Sequence, residues 1–160
     1  MPSHDPRATV VRAATPADAP QWLRLRVLLW PGEDDAEKDE HAREVDQYFA
    51  GRLKEPLEVL LAEDASGAIV GFAELSIRNY AEDCVTDRVA YLEGWYVVPE
   101  ARRQGVGRAL VLAAEEWGRG QGCTEFGSDA LIDNHLSHLA HEALGFEETA
   151  RIRTYRKSLV

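Results

Sequence analysis

Apolar positions along the 160-residue chain change period several times, and each change marks an element. Residues 8–13 alternate weakly and predict a first strand. Thr15-Pro16-x-Asp18 reads as a helix start, with Thr15 as N-cap and Pro16 at the first helical position. That helix should run to about Trp30, carry Trp22, Leu25 and Leu29 on its buried face, and end at Pro31-Gly32. Val45, Phe49 and Leu53, four residues apart, predict the buried side of a second helix that Pro56 closes. Residues 57–62 and 68–77 predict two strands joined through Asp64-Ala65-Ser66-Gly67, with Ile69, Gly71, Ala73, Leu75 and Ile77 on one face. Residues 78–88 form a polar loop longer than a hairpin needs, of the kind that carries binding residues.

Residues 89–98 are nearly continuous in apolar side chains, which predicts a central strand covered on both faces. After a basic, glycine-bearing turn, Val106, Ala109, Leu110, Ala113 and Trp117 line one side of a helix released by Gly118, Gly120 and Gly122. A short strand over 124–129 follows. The next helix, 134–144, should turn Leu136, Leu139, Ala140 and Ala143 inward and stop at Gly145; residues 146–148 and 151–157 would then close the sheet as a hairpin. With no repeat, linker or low-complexity segment, residues 1–160 read as one α/β domain of the α+β kind.

Composition sharpens this picture only modestly. Hydrophobic residues make up 45% and charged residues 29%, ordinary for a globular chain. No run approaches membrane-spanning length and the first seven residues lack a signal peptide's apolar segment, so a cytoplasmic location is expected. Cys84 and Cys123 are the only cysteines, without a CxxC pair, and read as reduced thiols. The net charge of −10 argues against nucleic acid or an anionic membrane as partner and is compatible with a cationic one, although solubility alone produces the same sign.

Candidate chemistry concentrates in residues 92–110. Arg102-x-x-Gly105-x-Gly107 feeds a helix N-terminus, whose free N–H groups and dipole suit a phosphate, with Arg102, Arg103 and Arg108 adding charge. It is not a Walker loop, since no Gly-Lys-Ser/Thr follows; it is not a dinucleotide fingerprint, since Leu110 stands where the third glycine would be. Glu93 interrupts the central strand on the expected face of Tyr91 and Trp95, and must meet either a structural cation or a ligand amine. Residues 33–46 are strongly acidic: a cation-collecting rim or a solvated helix face. His135, His138 and His141 recur at three-residue spacing, but no second cluster of ligands converges on them, so no metal is expected. From residue type alone Asp129 reads as a loop or capping aspartate, Asn134 as a helix N-cap, Tyr155 as an edge-strand tyrosine and Tyr80 as an aromatic without a core partner.

The turn, with its preceding strand and following helix, resembles the pyrophosphate-binding motif of the GNAT acetyltransferase superfamily. More of the chain resembles one class within it, the aminoglycoside 6'-N-acetyltransferases: Leu29-Trp30-Pro31-Gly32, Gly71-Phe72-Ala73 with Ser76-Ile77-Arg78, Leu92-Glu93-Gly94, Trp117-Gly118 with Gly122-Cys123, Ser128-Asp129, Ala143-Leu144-Gly145-Phe146-Glu147-Glu148-Thr149 and Tyr155-Arg156-Lys157. The resemblance implies the GNAT fold, a mixed and mostly antiparallel sheet of six to seven strands flanked by about four helices. It implies acetyl-coenzyme A as cosubstrate, held by Arg102, Arg103, Gln104, Gly105, Val106, Gly107 and Arg108. Asn134 would contact the pantetheine, and a backbone N–H among Trp95, Tyr96 and Val97 would meet the thioester carbonyl, which requires the strand to splay open nearby. It implies a cationic aminoglycoside as acceptor, flanked by Trp30 and Tyr80, with Glu93 beside the reacting amine, Asp129 as base or electrostatic stabiliser, and Tyr155 as proton donor to the thiolate. Ala150 stands where related chains carry another carboxylate, leaving Glu147 or Glu148 to compensate, with Glu148 assigned to the acceptor pocket. A homodimer is implied as well, with Tyr80 in reach of its interface. The alternatives are an acetyltransferase for another cationic amine, such as a polyamine, an amino sugar or a protein N-terminus, and a non-catalytic acetyl-coenzyme A or aminoglycoside-binding protein.

Overall fold

Val10–Ala13 (β1), Glu58–Glu63 (β2), Ile69–Arg78 (β3), Val89–Val97 (β4) and Phe126–Ser128 (β5) form one sheet in chain order in the computed structural model, which describes residues 9–160. Residues 1–8, which include the segment without a signal peptide's apolar run and the expected start of the first strand, lie outside the described residues. Neighbours from β1 to β4 are antiparallel, and β5 runs parallel to β4. After a single 3₁₀ turn at Pro16–Asp18 come α1 (Ala19–Leu29), α2 (Asp35–Phe49), α3 (Val106–Gly120) and α4 (His135–Ala143). The mixed, mostly antiparallel sheet with four helices is the expected architecture. Its strand number is five among the described residues rather than six to seven.

The missing strands are those of the C-terminal hairpin. Phe146 turns back onto Phe126, with ring centroids 5.4 Å apart, but residues 147–160 are exposed and carry no strand. The edge they would join, β5, is three residues long and offers little backbone for a ladder. The inward face predicted for α4 is also corrected. Leu136 and Leu139 are 71% and 64% exposed and Ala143 is exposed, while Ser137, Ala140 and His141 are the half-buried side.

Two apolar layers cover the sheet. Trp22 and Leu25 of α1 and Val45 of α2 pack on Val59, Leu61 and Phe72; Val106, Leu110, Val111 and Ala114 of α3 pack on Leu60, Ala62, Ala73, Leu75 and Leu92. Two β-bulges break the simple alternation. Ala62 pairs with Gly71 and Glu63 with Ile69, so Val70 is the extra residue and Ile69 joins Phe72 on the α1 side instead of sharing the face of Gly71, Ala73 and Leu75. Glu74 pairs with Gly94 and Leu75 with Leu92, so Glu93 has no opposite number. Trp95 therefore falls in the α3 layer with Leu92, away from Glu93 and Tyr91, correcting the face predicted from strict alternation. Among the described residues no helix is long and apolar enough to cross a membrane.

A buried ion pair ties the α1 layer together. Glu74 accepts from Arg26 Nε at 2.6 Å and from Trp22 Nε1 at 3.0 Å, while Arg26 Nη1 reaches Glu44 of α2 at 2.5 Å. Burial pushes the Glu74 carboxyl up, against the pull of Arg26. Removing one partner leaves the other charge buried and unanswered, which costs more than the intact pair contributes. Arg26→Ala should therefore lower unfolding stability by about 3–5 kcal/mol in urea titration; a loss under about 1 kcal/mol, the size of an exposed pair, would contradict the buried network.

Candidate active site

The sheet opens beside β4. Its parallel pairing with β5 runs through Ala90–Phe126, Tyr91–Gly127 and Leu92–Ser128 and stops there, because β5 ends at Ser128 while β4 continues to Val97. From Glu93 onward β4 has lost its neighbour on that side, and the bulge at Glu93 stands at the fork. This is the splay required near Trp95, Tyr96 and Val97. The three lie on the stretch where backbone groups of β4 face a gap instead of a strand.

Glu93 projects to the α1 side and is answered within the protein. Arg78 donates to both of its oxygens, from Nε at 2.9 Å and Nη2 at 2.6 Å, and Ser76 Oγ donates to Oε1. Those hydrogen bonds hold the Arg78 guanidinium above its ordinary value. The guanidinium also lies 3.6 Å from the Tyr91 ring centroid, and its Nη2 comes within 3.9 Å of Asp129 Oδ2. Tyr91 Oη donates to the same Asp129 oxygen at 2.7 Å; burial first, and the Asp129 carboxylate second, push that phenol up. Asp129, just past β5, is 71% exposed, and its Oδ1 has no hydrogen-bond partner among the described residues. Glu93 and Asp129 are thus brought together by Arg78 and Tyr91. The sequence reading gave Arg78 and Ser76 no role of their own; their two-residue spacing on β3, opposite Tyr91 and its neighbours, was the available signal.

Trp30 forms the next wall. It caps α1, lies 5.3 Å above Arg26, and runs nearly parallel to the His41 ring at 6.3 Å, with His41 Nε2 3.0 Å from the Trp30 carbonyl. Its indole covers Gly94, where an added Cβ would lie 2.6 Å from Cη2. Next to it opens a cavity of about 510 Å³ lined by Trp30, Glu33, Glu37, Glu40, His41 and Glu44. Part of the acidic stretch therefore lines a concave surface: Glu44 is held by Arg26 and Glu37 accepts from Glu33 N, while Glu33 and Glu40 stand beside the aromatic wall, a setting that suits a cation.

On the other side of the sheet, Gly105 enters α3 at φ +84°, and nothing lies within 4 Å of where its Cβ would be. The first N–H groups of α3 have no partner within the helix, so the open approach at Gly105 fits a diphosphate. Arg102 staples the turn, donating from Nε to Val97 O at 2.8 Å, and Gln104 donates to Glu100 O at 3.1 Å. Arg103, itself at φ +60°, and Arg108 are exposed. Gly107 serves packing: a Cβ there would stand 3.1 Å from the Trp95 indole.

The remaining candidates sit further out. Asn134 caps α4, accepting from Ser137 N at 3.2 Å. Tyr80 is 64% exposed on its loop. Glu148 pairs locally with Arg151 at 2.5 Å, and Tyr155, 87% exposed, stands on the unpaired tail. The chain by itself does not bring Glu148 or Tyr155 to the split. The three histidines of α4 part company: His135 and His138 contact each other edge to face, while His141 turns in toward Ser128 and Trp95. As a check on this packing, Gly94→Ala should cost about 1–3 kcal/mol in urea unfolding because the indole must move; an unchanged midpoint would mean that Trp30 does not cover Gly94 this closely.

Comparison with known proteins gives the family. The model of the acetyltransferase (GNAT) family matches residues 22–146. A Klebsiella aerogenes protein, aminoglycoside N(6')-acetyltransferase type 1, is 51% identical over 150 residues, covering 94% of this chain and 97% of its own. A protein of the same name from Stenotrophomonas maltophilia is 42% identical, over 95% of each chain. Among solved structures, AAC(6')-Iy in complex with the bisubstrate analogue CoA-S-monomethyl-acetylneamine superposes with a TM-score of 0.84 at 36% identity, covering 94% of this chain and 99% of that one. A fold with a split beside its fourth strand, a glycine turn at α3 and similarity over most of its length belong together: this chain is a member of the GNAT family of acetyltransferases.

Proposed function

We propose that this chain, as a single domain, transfers the acetyl group of acetyl-coenzyme A to the 6'-amine of aminoglycoside antibiotics and so confers resistance to them. The observation that carries the reading is the split beyond Leu92–Ser128, with a glycine turn for a diphosphate on one side of the sheet and an acidic, aromatic cavity on the other. A long donor and a polycationic acceptor can meet there without either crossing a packed layer.

In this reading the diphosphate rests on the N-terminus of α3, with Arg103 and Arg108 adding charge, and the pantetheine runs past α4 near Asn134 along the free edge of β4. A backbone N–H of residues 95–97 donates to the thioester oxygen as it gains negative charge. Trp30 and the α2 carboxylates hold the sugar rings, with Tyr80 closing over them from its loop. Glu93 is already paired with Arg78, so its part is to fix Arg78 and the wall around the amine, and the open oxygen of Asp129 faces the amine itself. A carboxylate is a far weaker base than an alkylamine, so Asp129 favours the cation electrostatically and takes the proton once the new C–N bond has made the nitrogen acidic. A cytoplasmic location keeps Cys84 and Cys123 reduced.

The reading includes a homodimer. Leu131, Ile132, Leu136 and Leu139, on α4 and the turn before it, are each exposed, and the tail after Phe146 has no strand partner; a second copy covering them would account for both features. Glu148 and Tyr155 lie on that tail and would gain fixed positions only then. Light scattering should give the mass of two chains, and Leu139→Asp should shift it toward one; a wild-type monomer would remove the dimer and leave the chemistry untouched.

Purified protein given acetyl-coenzyme A and a panel of amines should release thiol with aminoglycosides bearing a 6'-amine and not with polyamines, simple amino sugars or peptide N-termini. Thiol release confined to one of those other amines would replace the acceptor, and none with any amine would leave a binding protein. Asp129→Asn should lower kcat about 10²-fold with little change in coenzyme affinity, the size expected for loss of a proton-transfer group. Gly105→Val should chiefly weaken coenzyme binding, because its backbone would be strained at φ +84°. Full turnover in Asp129→Asn at every pH would remove Asp129 from the chemistry.

A further inference from the structure

The closed end of the split holds two side chains that the reaction as described leaves unused. Ser128, the last residue of β5, places its Oγ 3.3 Å from Leu92 O and 2.8 Å from His141 Nε2. His141 Nδ1 lies 2.7 Å from Ser137 O, one helical turn back, and 3.2 Å from Ser137 Oγ. A ring nitrogen that close to a carbonyl oxygen must carry the hydrogen, so Nδ1 is the donor in either charge state. Nε2 is then left to Ser128. In the neutral ring it accepts the serine hydroxyl; in the imidazolium it donates, and frees that hydroxyl to donate toward Leu92 O or toward a group lodged in the split.

The ring has little room to turn. It meets Trp95 edge-on at 5.3 Å and Phe146 at 5.1 Å. Its contacts are thus Ser128 on β5, Ser137 on its own helix, Trp95 on β4 and Phe146 after α4, with no carboxylate or cation among these contacts to compete for its proton. Leu92–Ser128 is the last paired step before β4 loses its neighbour. A thioester lying along the free edge of β4 therefore has the Ser128 hydroxyl at its closed end. Tyr155, the residue that the resemblance nominates as acid, is 87% exposed on the tail.

We propose that Ser128 and His141 form the proton relay that serves the departing thiolate, with Ser128 as a catalytic residue and His141 as a positioning residue acting through it; the proposal rests on the acetyl-transfer reading. As the C–S bond breaks, its electron pair stays on sulfur. The thiolate takes the hydroxyl proton of Ser128, Ser128 takes the Nε2 proton of the His141 imidazolium, and a neutral ring remains with its Nδ1 hydrogen still on Ser137 O. The attacking amine has meanwhile given one proton to Asp129 or water. His141 recovers one from solvent, so protons balance over the cycle and no further reactant is needed.

The test compares kcat and coenzyme affinity for wild type, Ser128→Ala, Ser128→Thr, His141→Gln and the double variant Ser128→Ala/His141→Gln. Each of Ser128→Ala and His141→Gln should lose about 10²-fold in kcat, with coenzyme affinity by calorimetry changed less than about threefold. The double variant should lose no more than the worse single one, because two parts of one relay fail together. Ser128→Thr, which keeps the hydroxyl, should recover most of the loss. The relay is overturned if Ser128→Ala keeps kcat within about threefold of wild type, if the two losses multiply, or if Ser128→Thr is as slow as Ser128→Ala; Ser128→Ala alone, a small change, decides the matter should His141→Gln not fold. A wild-type protein that turns over no amine overturns the acetyl-transfer reading itself, and the relay with it.

Discussion

One unpaired residue sets the geometry of this molecule. Glu93 has no partner on β3, and that single extra position reverses the order of faces along the rest of β4. Before it, Tyr91 pairs with Ser76 and packs with Ala81 and Val89, outside the α3 layer; after it, Trp95 points toward α3 and packs over Gly107 at the start of that helix. At the bulge, Gly94 is bare enough for Trp30 to lie against the strand. The same place is where pairing with β5 ends, so the backbone of β4 is released from its neighbour at the point where its side chains change sides. The extra residue thus gathers the Trp30 wall, the Trp95 contact with α3 and unpaired backbone at one place on β4.

The electrostatics follow from the same strand. Glu93 is not a bare carboxylate waiting for a ligand: Arg78 binds both of its oxygens and spans to Asp129. Two carboxylates can stand close together because the guanidinium lies between them, and the tyrosine that holds Asp129 is stacked on that guanidinium. The remaining charge of the acceptor side comes from α2, which the Arg26 contacts to Glu44 and Glu74 hold against α1 and β3. Charges near a surface at an effective dielectric of 20 interact by roughly 4 kcal/mol at about 4 Å, so a few converging carboxylates are enough to hold a polycation.

Much of the architecture was legible in the order of residues, because helices with apolar stripes, a continuous apolar strand and glycine-marked turns are local signals. Trp22, Leu25 and the glycine turn stand where their spacing put them; on α3 Val106 and Leu110 are buried as expected, but the buried face is turned to take in Val111 and Ala114, with Ala113 and Trp117 only partly buried. Most of the misplacements depend on pairing across strands or packing between elements, which local periodicity does not report; α2, which ends at Phe49 short of Leu53, is the exception. Strict alternation put Trp95 beside Glu93, and only the register with β3 reveals the extra residue. Leu136 and Leu139 carry a helical apolar pattern that looks inward, yet α4 turns Ser137 and His141 to the sheet. The tail reads as two strands, but its own sheet ends in a three-residue edge. Arg78 and Ser128 stood out only as parts of matched motifs and His141 only as one of three spaced histidines, since their roles come from partners 13 to 15 residues away in sequence.

On this geometry donor and acceptor meet on β4 just past its unpaired residue. A crystal structure of this protein with a bisubstrate compound joining the sulfur of coenzyme A to an aminoglycoside's 6'-nitrogen tests that most directly. The joining atoms should lie in the split between residues 93–95 and Ser128, the diphosphate on the N-terminus of α3, and the sugar rings against Trp30 and Asp129. Joining atoms outside the split, or sugar rings on the α3 side of the sheet, would contradict it.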